Sequence, residues 1–193
     1  MKIGVLAAQG AFAEHIAILQ RLKVDTVPVR LPQHLTKLDG LIIPGGESTS
    51  ISHLMIGYNL LDKIKNLAEN GLPIMGTCAG MILLAKDIID SDRVESIKVM
   101  NITVRRNAFG RQNESFETDL TIPVLGEEPF PSVFIRAPLI ERVSNGVEIL
   151  ARLNDNTIVA ARQNKLVALA FHPELTNDLR FHQYFLDIVA GDS

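Results

Sequence analysis

The sequence predicts an α/β fold, a mostly parallel central sheet with flanking helices and added antiparallel strands. Three observations predict it. Short apolar runs alternate with amphipathic stretches over the first half of the chain. The second half is made of short β-rich segments separated by turn residues. Between a short apolar run and a helical one lies a tight bend, Gly76-Thr77-Cys78-Ala79-Gly80, which holds the only cysteine.

"KIGVLAA" is apolar without polar alternation, as in a strand covered on both faces. "AFAEHIAILQRLK" follows, with Phe12, Ile16, Leu19 and Leu22 at helical spacing. "VDTVPVR" is a second strand, which Pro28 places at a sheet edge or a bulge. "LDGLIIPGG" is a third strand ending in a turn, with Ser48 as N-cap of the helix "TSISHLM". "NLLDKIKNLAEN" is helical and stops at Gly71. "LPIMG" is a fourth strand and "AGMILLAKDI" the helix after it. Beyond it, "IKVMNITVRR", "ETDLTIPV", "SVFIRAP", "VEILARL", "TIVAARQ" and "KLVALAF" are strands, with turns at Asn154-Asp155-Asn156 and Asn164-Lys165. "NDLRFHQYFLDIVA" closes as an amphipathic helix capped by Thr176 or Asn177.

The chain has 193 residues, 47% hydrophobic and 21% charged, which fits one domain over 1–193 with a real core. A formal net charge of −3 leaves no basic footprint for nucleic acid. One cysteine excludes an internal disulfide or a Cys-rich metal framework, and a reducing, cytoplasmic setting is expected. "MKIGVLAAQGAFA" imitates a signal peptide, but its apolar stretch is too short and Gln9-Gly10 break it. No apolar run approaches the roughly 18 residues of a membrane span, so no membrane partner is expected.

Strand, Gly-x-nucleophile-x-Gly, then helix is the nucleophile-elbow pattern, here with cysteine. The flanking glycines have a steric reason, since side chains there would meet the strand and helix behind the bend. The bland alternative is an inert buried cysteine. A reactive thiol needs a base, from His15, His34, His53, His172 or His182. His15 and His182 fall in helix patterns and are read as surface residues. His172 ends "LVALAF" and begins "HPE", and Pro173 biases it toward an extended backbone. Residues i and i+2 then face the same side, so Glu174 can orient His172 as the third member of a triad. For an oxyanion hole, the backbone N–H of Ala79 is one donor, and the Gly45-Gly46 loop of "LIIPGGEST" supplies another. That loop lacks the lysine of a Walker motif.

A cysteine elbow, a Pro-Gly-Gly loop and a His-x-Glu together resemble the class I, or triad, glutamine amidotransferases. "LIIPGGESTS", "GTCAGMILLAK", "RRNAFGRQ", "FIRAP", "VAARQ" and "FHPELT" resemble, more narrowly, the glutaminase subunits of two-component pyridoxal 5′-phosphate synthases, over nearly the whole chain. The resemblance implies the flavodoxin-like fold of that class. It also implies glutamine hydrolysis by Cys78, His172 and Glu174, without metal or cofactor. Substrate is implied to rest on Gly46, Glu47 and Ser48, on Arg106, and on Ile135 and Arg136. An arginine and acceptor groups suit the α-carboxylate and α-ammonium of glutamine. One departure from the wider class is Ile82, where many members carry glutamine.

The implied partner is a (β/α)8-barrel synthase subunit that consumes the ammonia, in a complex of twelve plus twelve subunits. The glutaminase is implied to be weak until docked, and reorientation of a Gly45-Gly46 peptide is one physical route to activation. The N-terminal "AAQGAFAEH" is an expected contact. Two rivals are a thiol peptidase or deglycase on the same elbow, and a non-catalytic binding subunit.

Overall fold

The computed structural model describes residues 1–89, 93–108 and 115–192. Phe109 to Gln112 of the "RRNAFGRQ" segment lie outside them. Five strands form the parallel part of the main sheet, in the order β2 (Asp25–Val29), β1 (Lys2–Leu6), β3 (Gly40–Ile43), β4 (Ile74–Thr77) and β12 (Leu166–Leu169). Apart from β2, these strands are almost wholly buried, which is why they are apolar at successive positions. β2 is an edge strand, so Pro28 costs no ladder bond on its outer side.

Past β12 the sheet turns antiparallel. β11 (Ile158–Gln163) pairs with β12, β9 (Leu139–Val143) with β11, and β6 (Met100–Arg105) with β9. β10 (Glu148–Arg152) also pairs with β11, and β5 (Ala85–Ile89) runs parallel to β6 at the far edge. Asn156 and Asn164, both at positive φ, make the turns before β11 and β12. A separate hairpin pairs β7 (Ser115–Leu120) with β8 (Phe130–Ile135).

The helices are α1 (Phe12–Arg21), α2 (Ser48–Gly57), α3 (Leu61–Glu69), α4 (Ala79–Leu84) and α5 (Arg180–Ala190). One contiguous apolar core runs under both parts of the sheet. Phe130 and Phe134 of β8 pack on Phe171, whose ring also meets Phe181 of α5 at 5.7 Å. These rings and the His172 N–H bond to the Val133 carbonyl (2.8 Å) clamp the hairpin over the end of β12.

Several element expectations need correction. "AGMILLAKDI" is six residues of helix and then β5, because Ala85 turns extended and Asp87 to Ile89 find partners on β6. "LIERV" is a strand, β9, that periodicity did not reveal. α2 is capped by Glu47, not Ser48; the Glu47 carboxylate accepts from the N–H groups of Thr49 and Ser50 at 3.0 and 2.7 Å. α5 starts at Arg180, with Asp178 accepting its N–H at 3.0 Å, so neither Thr176 nor Asn177 is the cap.

Candidate active site

Four adjacent parallel strands, β1, β3, β4 and β12, deliver their C-terminal ends to one edge of the sheet. Open α/β sheets hold their ligands at that edge. Here the strand ends lead into Gln9, the Gly45-Gly46-Glu47 loop, Cys78 and His172, respectively.

Cys78 sits at φ 50°, ψ −104°, between β4 and α4. A non-glycine residue there is strained by about 1–3 kcal/mol, which the surrounding packing must hold. Its N–H bonds to the Leu169 carbonyl of neighbouring β12 at 2.7 Å. Gly76 and Gly80 permit the bend. A Cβ on Gly76 would lie 2.5 Å from the Gly80 carbonyl oxygen, and one on Gly80 would collide with the Ile43 carbonyl of β3. The sulfur is 3.9 Å from the Ile135 carbonyl oxygen. As the first residue of α4, Ala79 has an N–H with no carbonyl one turn back inside the helix.

Gly45 fits between the elbow and His172: an added Cβ would run into the His172 ring and lie 3.3 Å from Cys78 Cβ. The Gly45 carbonyl accepts from the Ala11 N–H at 3.3 Å. Because a trans peptide points its C=O and N–H to opposite sides, the Gly46 N–H faces away from Ala11. Gln9 steadies the same loop, its Oε1 accepting the Glu47 N–H at 3.0 Å.

His172 and Glu174 meet as expected, at 2.6 Å between Nδ1 and Oε1. The backbone route differs from the expected extended segment: Pro173 to Leu175 form a 3-10 turn. Burial opposes protonation of His172, but hydrogen bonds with Cys78 and Glu174 and their charges outweigh it and hold the imidazolium up to about 10. With Nδ1 on Glu174, Nε2 is the nitrogen left for the thiol. Burial pushes the Glu174 carboxyl up, yet the imidazoles of His15 and His172 prevail and keep it below the usual carboxylate range.

A cavity of about 280 Å3 opens over Cys78, lined by Gly46, Glu47, Ser48, Ala79, Arg106, Ile135, Arg136 and His172 among others. Thus every residue expected to hold substrate lies in one hollow. Arg136 reaches it from a left-handed backbone (φ 42°) at the end of β8. Arg106 pairs with Glu47 across it at 3.4 Å. Burial raises the Glu47 carboxyl, but hydrogen bonds from Ser50 and Thr49 overcome this and bring it to about 2.

Of the other histidines, His53 is exposed on α2, and His34 accepts the Arg30 N–H in a 3-10 turn. His15 and His182 are not surface residues: both are fully buried, with His15 Nδ1 2.9 Å from His182 Nε2 and His15 Nε2 3.3 Å from Glu174 Oε2. Gln9 and Asn107 also line the hollow, and no local pattern marks them as site residues. The signal for His15 was present, since it lies three and four residues before Ile18 and Leu19 on the buried stripe of α1.

The chain is 59% identical over 191 residues to "Pyridoxal 5′-phosphate synthase subunit PdxT" of Herpetosiphon aurantiacus, covering 97% of this chain and 100% of that one. It is 59% identical over 189 residues to the protein of the same name from Moorella thermoacetica, covering 98% and 100%. A solved structure described as a glutamine amidotransferase superposes with a TM-score of 0.92 at 48% identity, over 97% of this chain and 98% of that one. The SNO glutamine amidotransferase family matches residues 5–190, and with a strained cysteine facing a carboxylate-held histidine in that fold, the chain belongs to it.

Proposed function

We propose that residues 1–193 act as a single glutamine amidotransferase domain, the glutaminase subunit of a pyridoxal 5′-phosphate synthase. It hydrolyses L-glutamine to L-glutamate and ammonia. The observation that carries the reading is Cys78 at positive φ beside His172, whose Nδ1 is held by Glu174.

Cys78 thiolate attacks the side-chain amide carbon of glutamine. The tetrahedral oxyanion takes hydrogen bonds from the N–H of Ala79 and the Gly45-Gly46 loop, worth about 3 kcal/mol each in the transition state. His172 imidazolium gives its Nε2 proton to the nitrogen, the C–N bond breaks and ammonia leaves. Now neutral, His172 takes a proton from water, which attacks the γ-glutamyl thioester. Collapse expels the thiolate and releases glutamate. Glu174 holds the productive tautomer throughout. In this reading Arg106 and Arg136 take the α-carboxylate of glutamine and Glu47 its α-ammonium. Gly46, Ser48 and Ile135 complete the wall.

Ammonia released to water at neutral pH becomes mostly ammonium, so a glutaminase of this kind needs an acceptor. The names of the relatives support a synthase subunit as partner. The resemblance supports a (β/α)8 barrel and twelve of each subunit, and the single cysteine supports a reducing, cytoplasmic setting. Among the described residues no helix is long and apolar enough to cross a membrane. The Ala11 bond to the Gly45 carbonyl is one that a docking-driven turn of the Gly45-Gly46 peptide would have to break.

The test is glutamate release by the chain alone, by the chain mixed with the cognate synthase subunit, and by Cys78→Ala in both settings. Release that rises on mixing and is abolished in the variant is the expected result. No release from two folded, associated proteins would leave a non-catalytic binding subunit in an amidotransferase fold.

A further inference from the structure

Glu174 is buried with both carboxylate oxygens turned inward, and each meets an imidazole. Oε1 holds His172 Nδ1 at 2.6 Å, and Oε2 lies 3.3 Å from His15 Nε2 on α1. Oε2 has no partner in full hydrogen-bond geometry among the described residues, so the approach of His15 Nε2 at 3.3 Å is the contact that can serve it. Behind His15, His182 of α5 puts Nε2 2.9 Å from His15 Nδ1. Thr77, the residue before Cys78, has its hydroxyl 3.2 Å from His15 Nε2.

We propose that His15, backed by His182, is a positioning residue for the Cys78-His172-Glu174 set: it donates its Nε2–H to Glu174 Oε2 and fixes the plane of the carboxylate that orients His172. This rests on the glutaminase reading above. The direction of every bond follows from the carboxylate, which can only accept. His15 must therefore carry its proton on Nε2, shared with the Thr77 hydroxyl oxygen. Its Nδ1 is then a bare acceptor, and His182 must donate to it from Nε2. His182 Nδ1 is left as a lone pair, and that atom has no hydrogen-bond partner among the described residues. The opposite tautomers would turn a lone pair of His15 onto Glu174 and bury an unmade N–H on His182, the costlier arrangement.

Neutrality matters as much as direction. A cation beside Glu174 would neutralise the carboxylate and weaken its hold on the His172 imidazolium. An uncharged, rigid imidazole supplies a donor without that competition. The charged and titratable groups bearing on His15 are Glu174 and His172 beyond β12, His182 on α5 and Glu14 on its own helix. Burial is the largest influence and lowers the His15 pKa, and it lowers that of His182 further, with His15 adding to the effect.

The first test is the imidazole nitrogen spectrum of the full chain labelled with 15N-histidine. His15 and His182 are expected as neutral Nε2–H tautomers near neutral pH, and an Nδ1–H tautomer at His15 would overturn the proposal. The second uses His15→Gln, whose amide nitrogen reaches the place of imidazole Nε2, and His15→Leu, which has no donor. In the complex with the synthase subunit, His15→Leu should lose about 10–100-fold in kcat for glutamate release at unchanged KM, as when a ligand-orienting partner is removed. Its acid limb should move to higher pH, because a carboxylate stripped of a donor takes up a proton sooner. His15→Gln should recover most of both. The pH profile of Cys78 alkylation by iodoacetamide reads the same change in the lone chain, without glutamine turnover. Failure of the glutaminase reading would show instead as wild-type protein that alkylates and has the expected tautomers yet releases no glutamate. If His15→Leu does not fold, the tautomers and His15→Gln still decide. Wild-type rate and profile in a folded His15→Leu, or a His15→Gln as impaired as a folded His15→Leu, would refute the positioning role.

Discussion

Gly45 leaves room for a hydrogen atom, and no more, between the loop and the His172 ring. Gly45→Ala should push the imidazole aside and cost about 10²-fold in kcat, the usual scale for a displacement near 1 Å. Glutamate release by the complex, with synthase association checked by sedimentation, measures it; an unimpaired variant would mean that the ring is not fixed where the loop puts it. Glu174→Gln keeps the shape but offers the wrong partner to Nδ1, and should lower kcat by about 10⁴, as in other triads. Protonation of His172 also bears on folding. Its pKa rises from 6.5 in the unfolded chain to about 10, so its contribution is full below pH 6.5, declines as pH rises and is gone above about 10. The gap in Tm between wild type and His172→Asn should shrink across that window, and a flat gap would contradict the assignment. Cys78, His172 and Glu174 were legible because a glycine-flanked thiol and a His-Pro-Glu are local patterns. Of the buried pair behind them, His15 left a signal on the stripe of α1, but its meeting with His182 was not legible, because that depends on which helix faces α1.

At the scale of elements, the elbow depends on backbone-to-backbone contact. Gly80→Ala would drive a methyl into the Ile43 carbonyl of β3, where no rotamer can relieve it. A loss of about 3 kcal/mol is expected from such overpacking. Gly57, the last residue of α2, is the control: an added Cβ meets nothing within 4 Å. Gly57→Ala should gain about 0.4–1 kcal/mol by restricting the unfolded chain. Urea titrations of both variants check the contrast. The strands and helices of the parallel half follow from their apolar periods. The stretch from Met81 to Ile89 does not, because a short apolar run fits helix and buried strand alike. What divides it is the ladder with β6, a partner more than ten residues away. Capping by Glu47 was hidden for a related reason: Ser48 is the better cap by residue type, but the loop from Gly45 brings the glutamate carboxylate round first.

Seen whole, the chain is a glutaminase subunit whose relatives' names imply a synthase partner for its ammonia. Amide-15N glutamine given to the complex with excess unlabelled ammonium should yield a pyridoxal product that keeps the label. Dilution to the bulk isotope ratio would show that ammonia escapes and returns. The sheet itself carries a further consequence. Cys78 and His172 follow β4 and β12, which are neighbours in parallel register, Thr77 beside Leu169. Everything from Ala85 to Gln163 leaves between those two strands and returns. The reacting pair is thus set side by side by one ladder, and the excursion touches it again where β8 bonds the His172 N–H and approaches the Cys78 sulfur. Arg106, Ile135 and Arg136, by contrast, are all borne on that excursion. In the proposed reading, bond-breaking falls to the frame, while the grip on the amide donor is shared between Gly46, Glu47 and Ser48 of the frame and Arg106, Ile135 and Arg136 of the excursion.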